Sequence, residues 1–138
     1  MPETVKVSAV LPASPKRVYQ AWMSSQEHGK FTGGKAVIDP RKGGNFTAWD
    51  GYIQGKNLEL QPGRKIVQSW RTAEFPSRSP DSRIEVLLER SGKGTKVTII
   101  HTSIPDGQGE GYRKGWTDYY FKPMKDYFGK NKAVRQKA

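Results

Sequence analysis

The chain has 138 residues, enough for one domain with a core that buries roughly two thirds of its unfolded surface. It contains no cysteine, which excludes disulfides, thiolate catalysis and cysteine-ligated zinc or iron–sulfur sites. Twenty-four Lys and Arg against 13 Asp and Glu give a net charge of +11, and an aromatic content of 11% is too high for a disordered polymer.

The positive charge is dispersed. Residues 1–23 carry +2, the middle of the chain +5 and residues 124–138 +4, with no dense arginine stripe. Generic attraction to anions follows from that pattern, and specific nucleic-acid recognition does not. No apolar run approaches the ~18 residues of a membrane span, and Met1-Pro2-Glu3-Thr4 does not open a signal peptide. The expectation is a cytoplasmic protein with no membrane span, monomeric or dimeric.

In chain order, Val5, Val7, Ala9 and Leu11 alternate with Thr4, Lys6 and Ser8, the period of a half-buried strand over 4–11. Ser14-Pro15 supplies an N-cap and a first-turn proline for a helix over about 15–25, with Val18, Ala21 and Trp22 on one face. A short second helix over 26–31 ends at Gly33-Gly34. Six strands follow: 36–38, 45–50, 52–60, 65–72, 83–90 and 95–103. Turn residues separate them at Asp39-Pro40, Gln61-Pro62-Gly63 and Ser91-Gly92-Lys93-Gly94, and 73–82 forms a loop. Gly51 and Gly55 mark bends.

After Ile104-Pro105-Asp106-Gly107 the period changes from 2 to 3.6. Tyr112, Trp116, Tyr119, Tyr120, Met124, Tyr127 and Phe128 form a wide apolar arc, with Lys114, Asp118, Lys122, Lys125 and Asp126 opposite. Such a helix lies against a sheet, and Pro123 within it predicts a kink. The expectation is one α+β domain over 1–130, with a basic, disordered tail over 131–138.

Several motifs are decoys. Gly29 to Lys35 fits G-x-x-x-x-G-K, but Ala36 stands where a P-loop needs Ser or Thr, and no strand precedes it. Gly107-x-Gly109-x-Gly111 has the wrong spacing for dinucleotide binding. Two histidines without a matching carboxylate pattern make no metal site, and G-x-S-x-G is absent. His28 lies in the polar stretch Gln26-Glu27-His28-Gly29 and reads as a surface residue. His101 shares a strand face with Val97 and Ile99 and therefore points toward the closing helix, as a core histidine, a polar ligand anchor or a general base. Asp50 before Gly51 reads as a residue that caps the bend.

Helices at both ends of an antiparallel meander resemble the helix-grip fold of the START-like (SRPBCC) superfamily. Particular segments sharpen that resemblance: Ser14 to Trp22 resembles the first helix, and Gly43-Gly44-Asn45-Phe46 with Asp50-Gly51-Tyr52-Ile53-Gln54-Gly55 resembles a strand pair. Ile66-Val67-Gln68-Ser69-Trp70-Arg71 resembles a central strand, and Gly115 to Lys125 the closing helix. Together they are similar to the family named for the C-terminal domain of the activator of heat shock protein 90 ATPase. That family's eukaryotic co-chaperone has a separate N-terminal docking domain, so the nearer description is a stand-alone, bacterial-type member.

The resemblance implies a curved antiparallel sheet of six or seven strands wrapped on a long C-terminal helix, in the order β-α-α-β6-α. It also implies a pocket between sheet and helix, which aromatic walls suit. The functional expectation is a non-enzymatic domain that binds a small apolar or amphipathic molecule, with no cofactor and no metal. Expected lining residues are Trp22, Phe31, Phe46, Val86, Ile99, His101, Trp116, Tyr120 and Met124. The alternative is a co-chaperone-like or stress-related module that contacts a chaperone. A further alternative is an enzyme of the cyclase or hydrolase kind using the same cavity.

Overall fold

A computed structural model describes residues 2–137, with side chains through residue 129. The expected basic, disordered tail over 131–138 falls on residues whose side chains lie outside those described. Strand β1, Glu3–Leu11, has the predicted alternation, with Val5, Val7, Ala9 and Leu11 inward. Helix α1, Pro15–Met23, starts at Ser14, whose hydroxyl accepts the N–H of Arg17. It ends two residues earlier than expected because Ser24 is extended and caps helix α2, Ser25–Thr32. Gly33 then closes α2 in the left-handed conformation, φ 88°.

The meander comprises β2 (Val37–Ile38), β3 (Asn45–Ala48), β4 (Ile53–Gln61), β5 (Lys65–Thr72), β6 (Ser82–Ser91) and β7 (Gly94–Ile104). With β1 it makes one antiparallel seven-stranded sheet, ordered β1-β7-β6-β5-β4-β3-β2. The architecture is the helix-grip α+β fold. Strand β3 is two residues shorter than the sequence pattern suggests, because Trp49 and Asp50 turn left-handed, φ 52° and 60°, ahead of Gly51 at φ 90°. Asp50 holds this turn as its position before Gly51 suggests, its Oδ1 accepting the N–H of Lys35 at 3.0 Å.

The closing helix is broken into α3, Gly109–Trp116, a single π turn over Thr117–Phe121, and α4, Lys122–Lys137. Proline at 123 has no N–H to donate. The irregularity expected there is taken up just before it, where the N–H of Lys122 reaches back five residues to the carbonyl of Thr117. No side chain caps α3 from within its own turn. Instead Glu3, across the fold on β1, accepts the N–H groups of Gly107 and Gly109 at 3.1 and 2.7 Å. These bonds hold its carboxyl below the usual range.

The core lies between the concave face of the sheet and the helices, built from Val18, Trp22, Phe46, Ile84, Val86, Ile99, Met124 and Phe128 among others. At the far end, Arg17 on α1 pairs with Glu27 on α2, and the Tyr127 hydroxyl of α4 donates to Glu27 at 2.6 Å. One network thus ties three helices together.

Candidate functional site

Two polar threads cross the apolar core. His101 on β7 is fully buried, as its strand face predicts. Indole N–H can only donate, so Trp116 Nε1 donates to His101 Nδ1 at 3.1 Å, and the ring proton sits on Nε2, 2.8 Å from Ser82 Oγ. Ser82 donates onward to the Trp70 carbonyl. His28 is also buried, at 2% exposure, contrary to the surface position read from its polar neighbours. Its Nδ1 faces the Trp22 carbonyl at 2.9 Å and therefore carries the proton, so Nε2 accepts from the Tyr120 hydroxyl at 2.9 Å. Burial pushes His28 down to about 4 and His101 down to about 3, and pushes Tyr120 up. Both histidines are neutral at pH 7, and both nitrogens of each ring are engaged.

The consequence falls on the closing helix. Trp116 is bonded to the sheet and Tyr120, one turn on, to α2, which fixes both rings. Their centroids lie 4.9 Å apart. Trp22 packs on both, 6.3 and 5.2 Å away.

Beside these rings is a cavity of about 980 Å³, open to solvent on one side. Its helical wall is Tyr112, Trp116, Tyr119 and Tyr120. The sheet supplies Ile53 and Trp70, and the strained β3–β4 turn adds Trp49 and Tyr52. Trp70 meets Tyr112 edge-on at 5.0 Å, and Trp49 meets Tyr119 edge-on at 5.8 Å. At the rim, the Tyr112 hydroxyl donates to Gln108 Oε1 at 2.8 Å and lies 2.7 Å from Thr72 Oγ1. Gln108 donates to the Glu74 carbonyl, and Tyr52 donates to the Glu74 carboxylate. The Tyr52 hydroxyl is pushed up to about 12, first by burial and then by that bond.

Of the nine residues expected to line a pocket, Trp116 and Tyr120 border this cavity. Trp22, Phe31, Phe46, Val86, Ile99 and Met124 lie in the packed core, to which the nearly buried Trp116 and Tyr120 also belong, and His101 sits behind Trp116. The wall residues that sequence reasoning missed include Trp49, Tyr52, Trp70 and Glu74. Tyr112 and Tyr119 were visible in the helical arc. Trp49 was not, because strand alternation gives no hint of a left-handed turn that swings its ring to the mouth.

A sheet gripping one long helix, with an aromatic cavity at the open end, defines a START-like domain. Residues 12–129 match the family described as "Activator of Hsp90 ATPase homolog 1-like protein", and the chain belongs to that family. It is 32% identical over 115 residues to an activator of 90 kDa heat shock protein ATPase homolog from Dictyostelium discoideum, covering 83% of this chain and 30% of that protein. The human homolog 1 is 28% identical over 116 residues, covering 84% and 34%. The chain thus spans about a third of the length of these curated relatives. The crystal structure of an HSP90 activator from Plasmodium falciparum shares the fold, with a TM-score of 0.84 at 21% identity over 91% of this chain and 96% of that one. The names of these relatives describe activators of another protein's ATPase. No helix among the described residues is long and apolar enough to cross a membrane.

Proposed function

We propose that this chain is a non-enzymatic protein-interaction module that contacts an Hsp90-type chaperone and raises its ATP turnover, working in the cytoplasm. The observation that carries this reading is the family match, which runs over residues 12–129, from just before α1 into α4. The geometry offers a face for such contact at the open end of the grip, where Tyr119 is 61% and Tyr52 39% exposed. Large aromatics that remain exposed on a rigid scaffold are the usual anchors of protein interfaces. The test adds the purified chain to a purified Hsp90-type chaperone and follows ATP hydrolysis and binding. A several-fold rise in turnover, reduced by Tyr119→Ala, is the expected result. No binding and no change in turnover at saturating chain would overturn the reading.

A second reading is favoured by the cavity itself: a small apolar or amphipathic molecule held beside Trp116 and Tyr120. A space of about 980 Å³ walled by aromatic rings lies within the size range of small-molecule sites.

A further inference from the structure

We propose that the cavity selects an organic cation, a quaternary or tertiary ammonium on an aromatic or apolar body. This inference rests on the second reading above and specifies its ligand class. Three observations carry it. The first is the wall. Trp49, Tyr52, Trp70, Tyr112, Trp116 and Tyr119 converge on one space. Tyr112's hydroxyl is occupied by Thr72 and Gln108, so its ring is what remains to meet a ligand. Aromatic faces are negative and attract a poorly hydrated cation, most strongly a quaternary ammonium, whose desolvation costs least.

The second is charge. The chain carries +11, yet among the described residues no Lys, Arg or His lines this cavity, and its one carboxylate is Glu74. A site for a carboxylate or phosphate ligand needs the reverse arrangement. The third is placement. Glu74 is fixed at the mouth through its N–H to Thr72 Oγ1 at 3.1 Å and its carbonyl to Gln108 Nε2 at 3.0 Å. Tyr52 donates to Oε2, and Oε1 takes no hydrogen bond among the described residues. A carboxylate oxygen is thereby left at the rim, where it can face a cation seated against the rings.

The test compares three probes sharing one aromatic body: (2-naphthylmethyl)trimethylammonium, 2-naphthylmethanol and 2-naphthylacetate. Binding is followed by isothermal titration and by tryptophan fluorescence. The cation should bind about tenfold more tightly than the alcohol, with the acetate weakest. Glu74→Gln, at an exposed position where folding is not at stake, should weaken the cation about fivefold and leave the alcohol unchanged. If the alcohol or the acetate binds as tightly as the cation, charge selection is overturned while the cavity stands as an apolar site. If none of the three binds at millimolar concentration, the cavity reading fails together with the inference. Cation preference that survives intact in Glu74→Gln overturns the role of that carboxylate.

Discussion

His28 and His101 enter the native state without a proton on the second nitrogen, and that has a sign. Each holds its native pKa below the unfolded value of about 6.5, at about 4 and about 3. Below pH 6.5 the unfolded chain takes up protons that the folded chain refuses, so stability falls as pH falls. Above pH 6.5 neither contributes any slope. These are the only two histidines, and the depressed carboxylates of Glu3, Glu27 and Asp39 add to the loss only as pH nears their unfolded values of 4.5 and 3.8. Urea unfolding between pH 6.5 and 4.5 should therefore show a loss approaching about 2.7 kcal/mol per pH unit for the two together. His28→Gln should remove about half of that slope, and a flat profile in the wild type would refute the buried, neutral assignment. Residue by residue, the two histidines also show what sequence could disclose. His101 was legible because Val97 and Ile99 fix its face by alternation. His28 was not, because the buried face of α2 is His28, Phe31 and Thr32. Their spacing is helical, but only one of the three is apolar, so the periodicity carries almost no hydrophobic signal.

At the level of elements, alternation and turn chemistry gave all seven strands and the meander of the last six, because a half-buried antiparallel sheet writes its faces into period two, but not the pairing of β1 with β7. What they could not give was departures from regular geometry. Pro123 announced an irregularity but not that it would be a π turn, and Gly51 announced a bend but not the left-handed Trp49 and Asp50 before it. Glycines separate the two kinds of constraint. Gly51 has φ 90°, and a Cβ added there would meet nothing within 4 Å, so Gly51→Ala should cost only the left-handed strain, roughly 1–2 kcal/mol. At Gly55 a Cβ would lie 1.8 Å from the Ser69 carbonyl oxygen and 2.8 Å from the Phe46 ring. Gly55→Ala must push β4 away from β5 and should cost about 3 kcal/mol, the upper end of overpacking. Denaturation midpoints at constant m-value would rank the two. If Gly51→Ala proves the more damaging, close strand approach is not what requires glycine at 55.

For the whole molecule, the charge and the cavity point to different kinds of partner. The excess of basic residues is distributed along the chain, and several of its ion pairs, such as Arg41–Asp39 and Lys122–Asp118, are exposed and add little stability. The aromatic cavity, by contrast, is lined by no basic side chain among the described residues. A charge of +11 spread along the chain with no dense arginine stripe attracts any polyanion at long range, but such attraction should not become recognition. Titration with duplex or single-stranded nucleic acid at about 0.15 M salt should show weak binding that is indifferent to sequence and falls steeply as salt rises. A chaperone contact anchored by the exposed Tyr119 and Tyr52 should behave differently. Added salt should slow its association, because steering is screened beyond a Debye length of about 8 Å. Its dissociation should change little, because buried aromatic area does not depend on screening. Stopped-flow association and dissociation rates measured at several salt concentrations separate the two modes. Tight, sequence-selective nucleic-acid binding that persists in high salt would make this a nucleic-acid protein and displace the chaperone reading.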